Sequence, residues 1–420
     1  MKAKRKTKGK KEDESGTRTK KAGRARKRER AFALALGVGL QFAYALSADT
    51  NGEVVRACAS ASSGEMSEGV IRPGEKWYDT DGSPICAQGG SVLVHDGVYW
   101  WCAVNRNRTT GKDSVWHNGI VLYSSGDLAR WKREGVIIPA DERDESSILH
   151  PSRLLDRCTL VYNDRTGRFV LWVHLLEDGG QCAATFTAEC LTGPWTLARR
   201  GIRPNGMDCG DFSIAKDADG RAYLYFNRPH SMLAIVELND DYTDTKGVCA
   251  TFAYTPGPPL TREAPSPFVR NGRHYIITSG TTHYYPNPSE TIVSDGRTGP
   301  WTNLGELAPD DPSHTTFHSQ VCQVLKVPGK KDLYVAIADR WLPGKLDVNW
   351  PELEAAYNKE FGRPFDPKLV DLFREKTGGE LYPMHAPICE ARQVWLPLVF
   401  GKDGRPRLEW RDRWSLADYE

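Results

Sequence analysis

The chain has 420 residues with 10% aromatic residues, 39 Gly and 26 Pro, which favours short strands and turns over long helices. Its net charge of +2 hides a division, because residues 1–30 hold 15 Lys and Arg against 4 Asp and Glu, and the remainder holds 41 basic and 50 acidic residues. The mildly acidic body gives no sign of a nucleic-acid-binding surface, and no nucleic acid is expected as its partner.

A basic arm, residues 1–30, runs directly into an uncharged apolar segment, residues 31–48. Alone, the arm fits a nucleic-acid or nuclear-targeting tail, but a basic region followed by an apolar run is typical of a secretory signal. Ala43-Tyr44-Ala45 matches an A-x-A cleavage pattern. The alternative is an uncleaved membrane anchor, for which the run is at the short limit. Either way we expect an extracytoplasmic body, secreted or periplasmic.

Residues 49–74 are predicted to be a linker, and residues 75–420 a single domain built from a repeat. A turn, usually with Gly, precedes an aromatic or aliphatic run five times, at intervals of 70, 53, 52 and 57 residues. Asp96-Gly97 and Asn271-Gly272 are strong hairpin signals. Periods near 50 residues with several strands each are typical of propeller blades. The five runs span residues 97–101, 167–172, 220–225, 272–277 and 332–335.

A second marker, Trp131, Trp195 and Trp301, precedes a short apolar run in three units and indicates an outer hairpin. Residues 351–380 break the pattern, because they are charged and carry apolar residues at helical spacing. We interpret this segment as an insertion in the last unit. The predicted fold is all-β, a five-bladed β-propeller with a short helical insertion in the last blade.

Each unit places a polar residue before its turn. Gln88, Asp211, Glu263 and Gln320 stand nine residues before the Gly, and Asp156 stands eleven before it. In a propeller these positions fall near the start of each innermost strand, so the side chains should meet at one mouth of the channel. Carboxylates and amides in one pocket suit acid-assisted cleavage of a glycosidic bond, since repulsion between carboxylates keeps one of them protonated.

Simpler interpretations stay open for these residues. An Asp near a strand start is often a turn or cap residue, and a Gln is often just hydrogen-bonded. We expect Trp100, Trp101, Trp172 and Tyr225 in the core, and Tyr284, Tyr285 and Trp341 as sugar platforms. No cofactor is expected, although a structural calcium or other cation in the channel is compatible with the sequence. The ten cysteines fit no zinc pattern; some, such as Cys182 and Cys190, either pair or serve as small buried residues.

Seven short segments carry a more specific signal: residues 77–82, 123–131, 262–265, 277–280, 315–320, 339–341 and 395–398. In order and spacing they resemble glycoside hydrolase family 43, most closely its exo-β-1,3-galactanase branch. The resemblance covers about residues 75–417 without the insertion. It implies a five-bladed propeller that inverts the anomeric carbon.

The resemblance also implies roles for individual residues. Glu263 falls on the general acid, and Asp211 on the residue that orients the acid and tunes its pKa. Gln320 falls on the Gln proposed to replace the missing base, either as an imidic tautomer or by positioning water. The chain departs from the branch at Asp156, where the branch has Glu, and at Gln88 and Val104, where it has His and Glu. These departures bear on galactose preference.

The sequence therefore predicts an inverting glycosidase that removes terminal or side-chain sugars from a polysaccharide, and exo action on β-1,3-galactan is the leading interpretation. Catalytic candidates are Glu263, Asp211, Gln320 and Asp156. The alternatives are a β-xylosidase or α-L-arabinofuranosidase of the same family, and a non-catalytic carbohydrate-binding propeller. The expected partner is a poly- or oligosaccharide, and the expected state is a monomer, with membrane anchoring through residues 31–48 if that segment is uncleaved. Substrate-binding candidates are Gln88, Tyr284, Tyr285, Arg340 and Trp341.

Overall fold

The computed structural model describes residues 69–253 and 257–420. The predictions for the basic arm, the apolar segment and nearly all of the linker lie outside the described residues. In the described part, five antiparallel sheets follow one another along the chain. Within the same residues, no helix is long and apolar enough to cross a membrane.

The first four sheets each have four strands in sequential order. They are β1 (Ala87–His95), β2 (Val98–Asn105), β3 (Ile120–Ser125) and β4 (Lys132–Ile138); β5 (Leu155–Asn163), β6 (Arg168–Glu177), β7 (Gly180–Ala188) and β8 (Thr196–Ile202); β9 (Phe212–Lys216), β10 (Ala222–Arg228), β11 (Met232–Leu238) and β12 (Thr245–Ala253); and β13 (Arg262–Arg270), β14 (Arg273–Gly280), β15 (Glu290–Ser294) and β16 (Thr302–Glu306). Trp131, Trp195 and Trp301 each stand directly before a fourth strand, as the outer-hairpin interpretation requires.

The fifth sheet contains the insertion. Its strands are β17 (Gln320–Lys326), β18 (Tyr334–Arg340), β19 (Arg392–Gln393), β20 (Leu396–Phe400) and β21 (Pro406–Leu408). Helices α1 (Trp350–Glu360) and α2 (Pro367–Thr377) lie between β18 and β19, and the insertion as the structure shows it is the whole segment 341–391 between these strands. Each helix has a proline in its first turn, and Asp366 caps α2 by accepting a hydrogen bond from Lys368 N at 2.9 Å.

The five first strands form a closed ring. β1 contacts β5, β5 contacts β9, β9 contacts β13, β13 contacts β17, and β17 returns to β1. The fold is therefore a five-bladed β-propeller, as predicted. The first hairpins turn at Asp96-Gly97 and Asn271-Gly272, where all four residues have positive φ between 50° and 77°. Two such residues in a row suit the tight turn that matches strand twist, which explains the Asp-Gly and Asn-Gly signals.

Tryptophans close the ring between the first and last blades. Trp101, Trp131 and Trp395 pack edge to face, with ring centroids 5.0–5.6 Å apart. Each such pair contributes about 0.5–1.5 kcal/mol beyond the burial of its area. Trp414 Nε1 donates to the Trp395 carbonyl at 2.8 Å, and Ile71 bridges to Trp414, so both ends of the described propeller meet at this seam.

Of the expected core residues, Trp101, Trp172 and Tyr225 are buried, whereas Trp100 is only partly buried and packs against the edge of the core. Cys182 is also buried and is a free thiol, so the pairing with Cys190 does not form. Burial raises the pKa of the Cys182 thiol to about 11, which keeps it neutral. This cysteine acts as a small apolar core residue, the second of the two interpretations.

Candidate active site

The repeat places its polar residues where the first strands begin. Gln88, Asp156 and Glu263 are the second residues of their strands, Gln320 is the first of β17, and Asp211 directly precedes β9. In the blades of Gln88 and Glu263, the strand register shifts immediately after the polar residue. Such bulges re-aim a side chain relative to the regular pleat, and Ala264, with φ 51°, makes the bend after Glu263.

A cavity of about 550 Å³ opens at this mouth of the channel. Four of the five repeated residues line it, and the others that line it come from every blade and from the insertion. Its lining includes Asp156, Arg157, His174, Asp211, Asn227, Glu263, His283, Tyr284, Gln320, Trp341, Phe361, Tyr382 and Met384. Polar groups thus converge in a concave, largely apolar site, as in binding pockets generally.

Glu263 is the carboxyl group with the most perturbed surroundings in this cavity. The loss of hydration raises its pKa well above the ordinary value of 4.5, and the negative charge of Asp211 raises it further. Arg157 and a hydrogen bond from Gln320 Nε2, at 3.3 Å from Glu263 Oε1, oppose this shift without reversing it. Glu263 is therefore held toward its protonated form.

Arg157 ties the site together from a buried position. Its Nε lies 2.9 Å from Asp211 Oδ1, and one Nη donates to Asp211 Oδ2 at 3.1 Å and to Gln320 Oε1 at 2.7 Å. The Asp211 charge raises the pKa of Arg157 despite its burial, so the guanidinium stays charged. Asp211 is thereby fixed beside Glu263 as a paired carboxylate.

Gln320 makes four hydrogen bonds that fix the orientation of its amide. Oε1 accepts from Arg157 and from Trp341 Nε1 at 3.2 Å, while Nε2 donates to Ser279 Oγ at 2.8 Å and to Glu263. Because two N–H donors point at Oε1, the ordinary amide satisfies every partner. An imidic tautomer would place a hydroxyl hydrogen against those donors.

Asp156 supplies a second carboxylate with a different environment. Its Oδ1 lies 2.6 Å from the Nη2 of buried Arg106, and its side chain keeps 23% of its surface exposed in the cavity. Tyr284 lies beside Asp156, and burial raises the pKa of its phenol well above the ordinary value. The Tyr284 and Trp341 rings lie 5.3 Å apart and form one aromatic corner of the cavity.

Gln320 follows an unusual turn held by Asp311. Thr316, Phe317 and His318 have φ values of 54–56°, a left-handed conformation that is costly for residues with side chains. Asp311 Oδ2 accepts hydrogen bonds from the backbone N–H groups of Thr315 and Phe317 at 2.9 and 2.8 Å. This carboxylate therefore stabilises the turn that delivers Gln320 to the cavity.

Two cavity residues escaped the sequence interpretation. His174 and Asn227 are buried, and among the described residues neither His174 ring nitrogen nor Asn227 Oδ1 has a hydrogen-bond partner of good geometry. Burial lowers the pKa of His174, so the ring is held neutral. Each is a polar residue in an otherwise apolar strand, β6 or β10, and that was the available signal.

Three of the substrate-binding candidates do not line the cavity, whereas Tyr284 and Trp341 do. Gln88 is fully buried behind it, next to Gly89, whose N–H donates to Asp339 Oδ2 at 2.9 Å. The Tyr285 hydroxyl donates to the Glu380 carbonyl at 3.0 Å, away from the cavity. Arg340 donates to the Phe317 carbonyl at 2.8 Å and so supports the Asp311 turn.

The described residues contain no cluster of three or more His, Cys, Asp or Glu side chains that could hold a metal ion. Such a cluster is only one way of binding a cation, since backbone carbonyls and water also coordinate calcium. The expectation of a cation in the channel therefore stays a prediction.

The sequence of the chain matches a known protein family. The family model described as Glycosyl hydrolases family 43 matches residues 91–306, about half of the chain. The chain belongs to glycoside hydrolase family 43. The matched range includes Asp156, Asp211 and Glu263, while Gln320 and the insertion lie beyond it. Family 43 is a family of inverting glycosidases, whose substrates are carbohydrates.

Solved structures of family 43 enzymes share this fold. A family 43 β-1,3-galactosidase is 27% identical, with a TM-score of 0.65 over 84% of this chain and 65% of its own. A second β-1,3-galactosidase, solved with galactodeoxynojirimycin, is 26% identical, with a TM-score of 0.63 over 82% of this chain and 99% of its own. An exo-β-1,3-galactanase from Clostridium thermocellum is 26% identical, with a TM-score of 0.63 over 82% of this chain and 66% of its own.

The glycosidase thus spans about two thirds of the first of these relatives. Among curated protein sequences, none matches it significantly.

Proposed function

We propose that this family 43 enzyme releases galactose from the ends of β-1,3-galactan chains, with Glu263 as general acid. Support for the sugar comes from the similar solved structures, which are β-1,3-galactosidases and exo-β-1,3-galactanases at 26–27% identity. Support for the chemistry comes above all from the placement of Glu263 beside Asp211 in the cavity, where burial and the neighbouring charge raise the pKa of the acid.

Glu263 donates the proton that the leaving oxygen needs. A carboxylic acid with a raised pKa keeps its proton to higher pH, and the protonated state is the one required to protonate a glycosidic oxygen as the C–O bond breaks. Asp211 favours that state, because its negative charge repels an ionised Glu263. Arg157 holds Asp211 in place through the contacts at 2.9 and 3.1 Å.

Asp156 activates the water that attacks the anomeric carbon, while Gln320 orients the acid. The Oε1 of Gln320 already accepts from Arg157 and Trp341, and its Nε2 donates to Ser279 and Glu263, so we assign Gln320 the positioning of Glu263 rather than proton transfer. Asp156 is the second cavity carboxylate, and in this scheme it accepts the proton that the water loses. Water oxygen joins the anomeric carbon on the face opposite the leaving group, which gives inversion.

The test is to incubate the protein with β-1,3-galactan and follow the first product by NMR. We expect galactose to appear first as the α-anomer and then to equilibrate. Aryl β-xyloside and aryl α-L-arabinofuranoside, run in parallel, should react far more slowly. Faster release of xylose or arabinose would assign the alternative family activity. Binding of glycans without hydrolysis of any substrate would make the propeller a binding module and contradict the proposal.

The place of action is a further part of the proposal. A basic arm followed by the apolar segment 31–48 supports export, with the active domain outside the cytoplasm. Sequencing the N-terminus of the mature protein after expression with its own leader tests this. A start shortly after residue 45 or 48 is expected for a cleaved signal, and an intact arm on a membrane-bound product would identify an anchor.

A further inference from the structure

The helical insertion lies on the acid's side of the cavity. Although it belongs to the fifth blade, it packs on the loop that follows β14 in the fourth blade. Its own apolar core contains Val348, Leu353, Tyr357 and Phe373, and Tyr285 from that loop completes it. The Tyr285 hydroxyl bond to Glu380 fixes the contact. The blade that supports the insertion is also the blade that begins with Glu263.

A second anchor joins the insertion to the segment that leads into Glu263. The Arg363 guanidinium donates to the Pro258 carbonyl at 2.7 Å, and Pro258 stands only five residues before the acid. Two loops next to the acid thus hold the insertion in place.

Three apolar side chains of the insertion face the cavity without being covered. Phe361, Tyr382 and Met384 line it and keep 42%, 37% and 44% of their surfaces exposed. Tyr382 is held by an edge contact with His283, with ring centroids 4.9 Å apart. Phe361 is held by the Arg363 guanidinium, which lies 5.2 Å from its ring. These two rings are therefore fixed in position while their outer surfaces stay open to the cavity.

The exposed aromatic surface of Phe361 and Tyr382 at this cavity is suited to binding a sugar ring. One face of a pyranose presents mainly C–H groups, which lose unfavourable contact with water when they stack on an aromatic or thioether side chain. The hydroxyl groups around the ring edge stay solvated. A flat, open wall binds such a ring without needing the many hydrogen bonds that the deeper part of the cavity offers.

The position of these three side chains relative to Glu263 indicates which sugar ring of the substrate they contact. A general acid lies next to the glycosidic oxygen that it protonates, and that oxygen departs with the leaving group. The insertion is joined to the loops beside Glu263, so it borders the leaving-group side. We propose that Phe361, Tyr382 and Met384 form a platform for the leaving-group sugar, which makes this enzyme favour oligosaccharides over small galactosides. This inference rests on the proposed function of the same cavity.

The insertion offers matched controls for this platform. Phe365 and Leu372 are also 42% exposed and belong to the same insertion, but they do not line the cavity. The variants Phe361→Ala and Tyr382→Ala are compared with Phe365→Ala and Leu372→Ala. Circular dichroism and thermal unfolding establish that all four retain the fold of the parent protein.

Hydrolysis is measured on β-1,3-galactotriose and on β-galactosyl fluoride, whose leaving group is a single atom. We expect Phe361→Ala and Tyr382→Ala to lower kcat/KM about tenfold on the trisaccharide and less than about twofold on the fluoride. Phe365→Ala and Leu372→Ala should leave both values unchanged. Equal losses on both substrates, no loss on the trisaccharide, or equal losses in the control variants would overturn the platform.

Binding separates failure of the platform from failure of the proposed reaction. Calorimetry with Glu263→Gln compares β-1,3-galactotriose with galactose, and the trisaccharide should bind about tenfold more tightly. Adding Phe361→Ala should remove that preference. If the parent protein binds in this way but does not hydrolyse galactotriose, the proposed reaction fails and the platform stands. If hydrolysis occurs and the preference is absent, the platform alone is wrong.

Discussion

The ring of first strands and the helical insertion contribute to one cavity by opposite means. The ring supplies polar groups whose hydrogen bonds are largely satisfied within the protein, such as the four bonds of Gln320. The insertion supplies apolar surface at Phe361, Tyr382 and Met384 that the described residues leave partly exposed. A preorganised ring suits the chemical step, and an open apolar wall suits selection among leaving groups. Substitutions in the two regions should therefore affect different kinetic quantities.

The largest effect is expected in the ring, at the acid. Glu263→Gln removes the proton donor but keeps the size of the side chain, so kcat should fall by about 10²–10⁴-fold on galactan. Galactosyl fluoride needs no protonated leaving oxygen, so its hydrolysis should fall much less. Glu237→Gln is the control, because Glu237 lies outside the cavity on β11, where it pairs with Lys246 of β12 at 3.1 Å. Equal losses on galactan and fluoride would contradict the role of Glu263 as acid.

Substitutions in the ring and in the insertion should also differ in how much they lower the free energy of unfolding. Trp395 is fully buried at the seam between the first and last blades, so Trp395→Ala should lower the free energy of unfolding by about 3–5 kcal/mol. Phe373 is buried in the small core that the insertion shares with Tyr285, and Phe373→Ala should loosen the insertion with a smaller change in the main transition. Chemical denaturation measures the first effect, and the galactotriose-to-fluoride ratio measures the second. A global loss in Phe373→Ala as large as in Trp395→Ala would show that the regions are not separable.

The turn before Gln320 should respond on a smaller scale. Asp311→Asn removes the negative charge and one oxygen acceptor from the turn whose Thr315 and Phe317 N–H groups bind that side chain. We expect a loss of about 1–3 kcal/mol in the free energy of unfolding, with a lower kcat from a displaced Gln320. The exposed neighbour gives the control, Asp310→Asn. Unchanged kcat despite lost stability would restrict Asp311 to a structural role.

The ring could be predicted from the sequence because one rule repeats in it. Asp-Gly and Asn-Gly turns reveal the first hairpins, and counting back from them finds Asp156, Asp211 and Glu263 at strand starts. The same count also selects Gln88, which the structure buries behind the cavity. Register along one strand predicts which end of the channel a residue occupies. It does not predict whether the side chain reaches the opening.

Contacts between distant parts of the chain could not be predicted in this way. Arg157 adjoins a predicted residue, yet its bond to Gln320 joins positions 163 residues apart. The cavity-lining side chains of the insertion follow no repeat, because Phe361 ends a helix and Tyr382 and Met384 lie in an irregular segment. For His174 and Asn227, the only signal in the sequence was an isolated polar residue within the apolar run of a strand. The helices themselves were predictable, but not the blade on which they pack.

The smallest expected change concerns the pH profile, and it distinguishes the two regions most directly. Glu263 acts when protonated, so activity falls as pH rises through its pKa. The Asp211 charge raises that pKa, and Asp211→Asn should therefore move the alkaline limb of kcat/KM to lower pH. Arg157, no longer paired with a carboxylate, should shift it in the same direction. Asp208→Asn is the control, since Asp208 pairs with Arg203 at 3.3 Å and is 45% exposed.

Phe361→Ala should lower the height of the galactotriose profile without moving its alkaline limb, because the platform carries no charge. A limb that stays in place in Asp211→Asn, or moves to higher pH, would remove Asp211 from control of the acid.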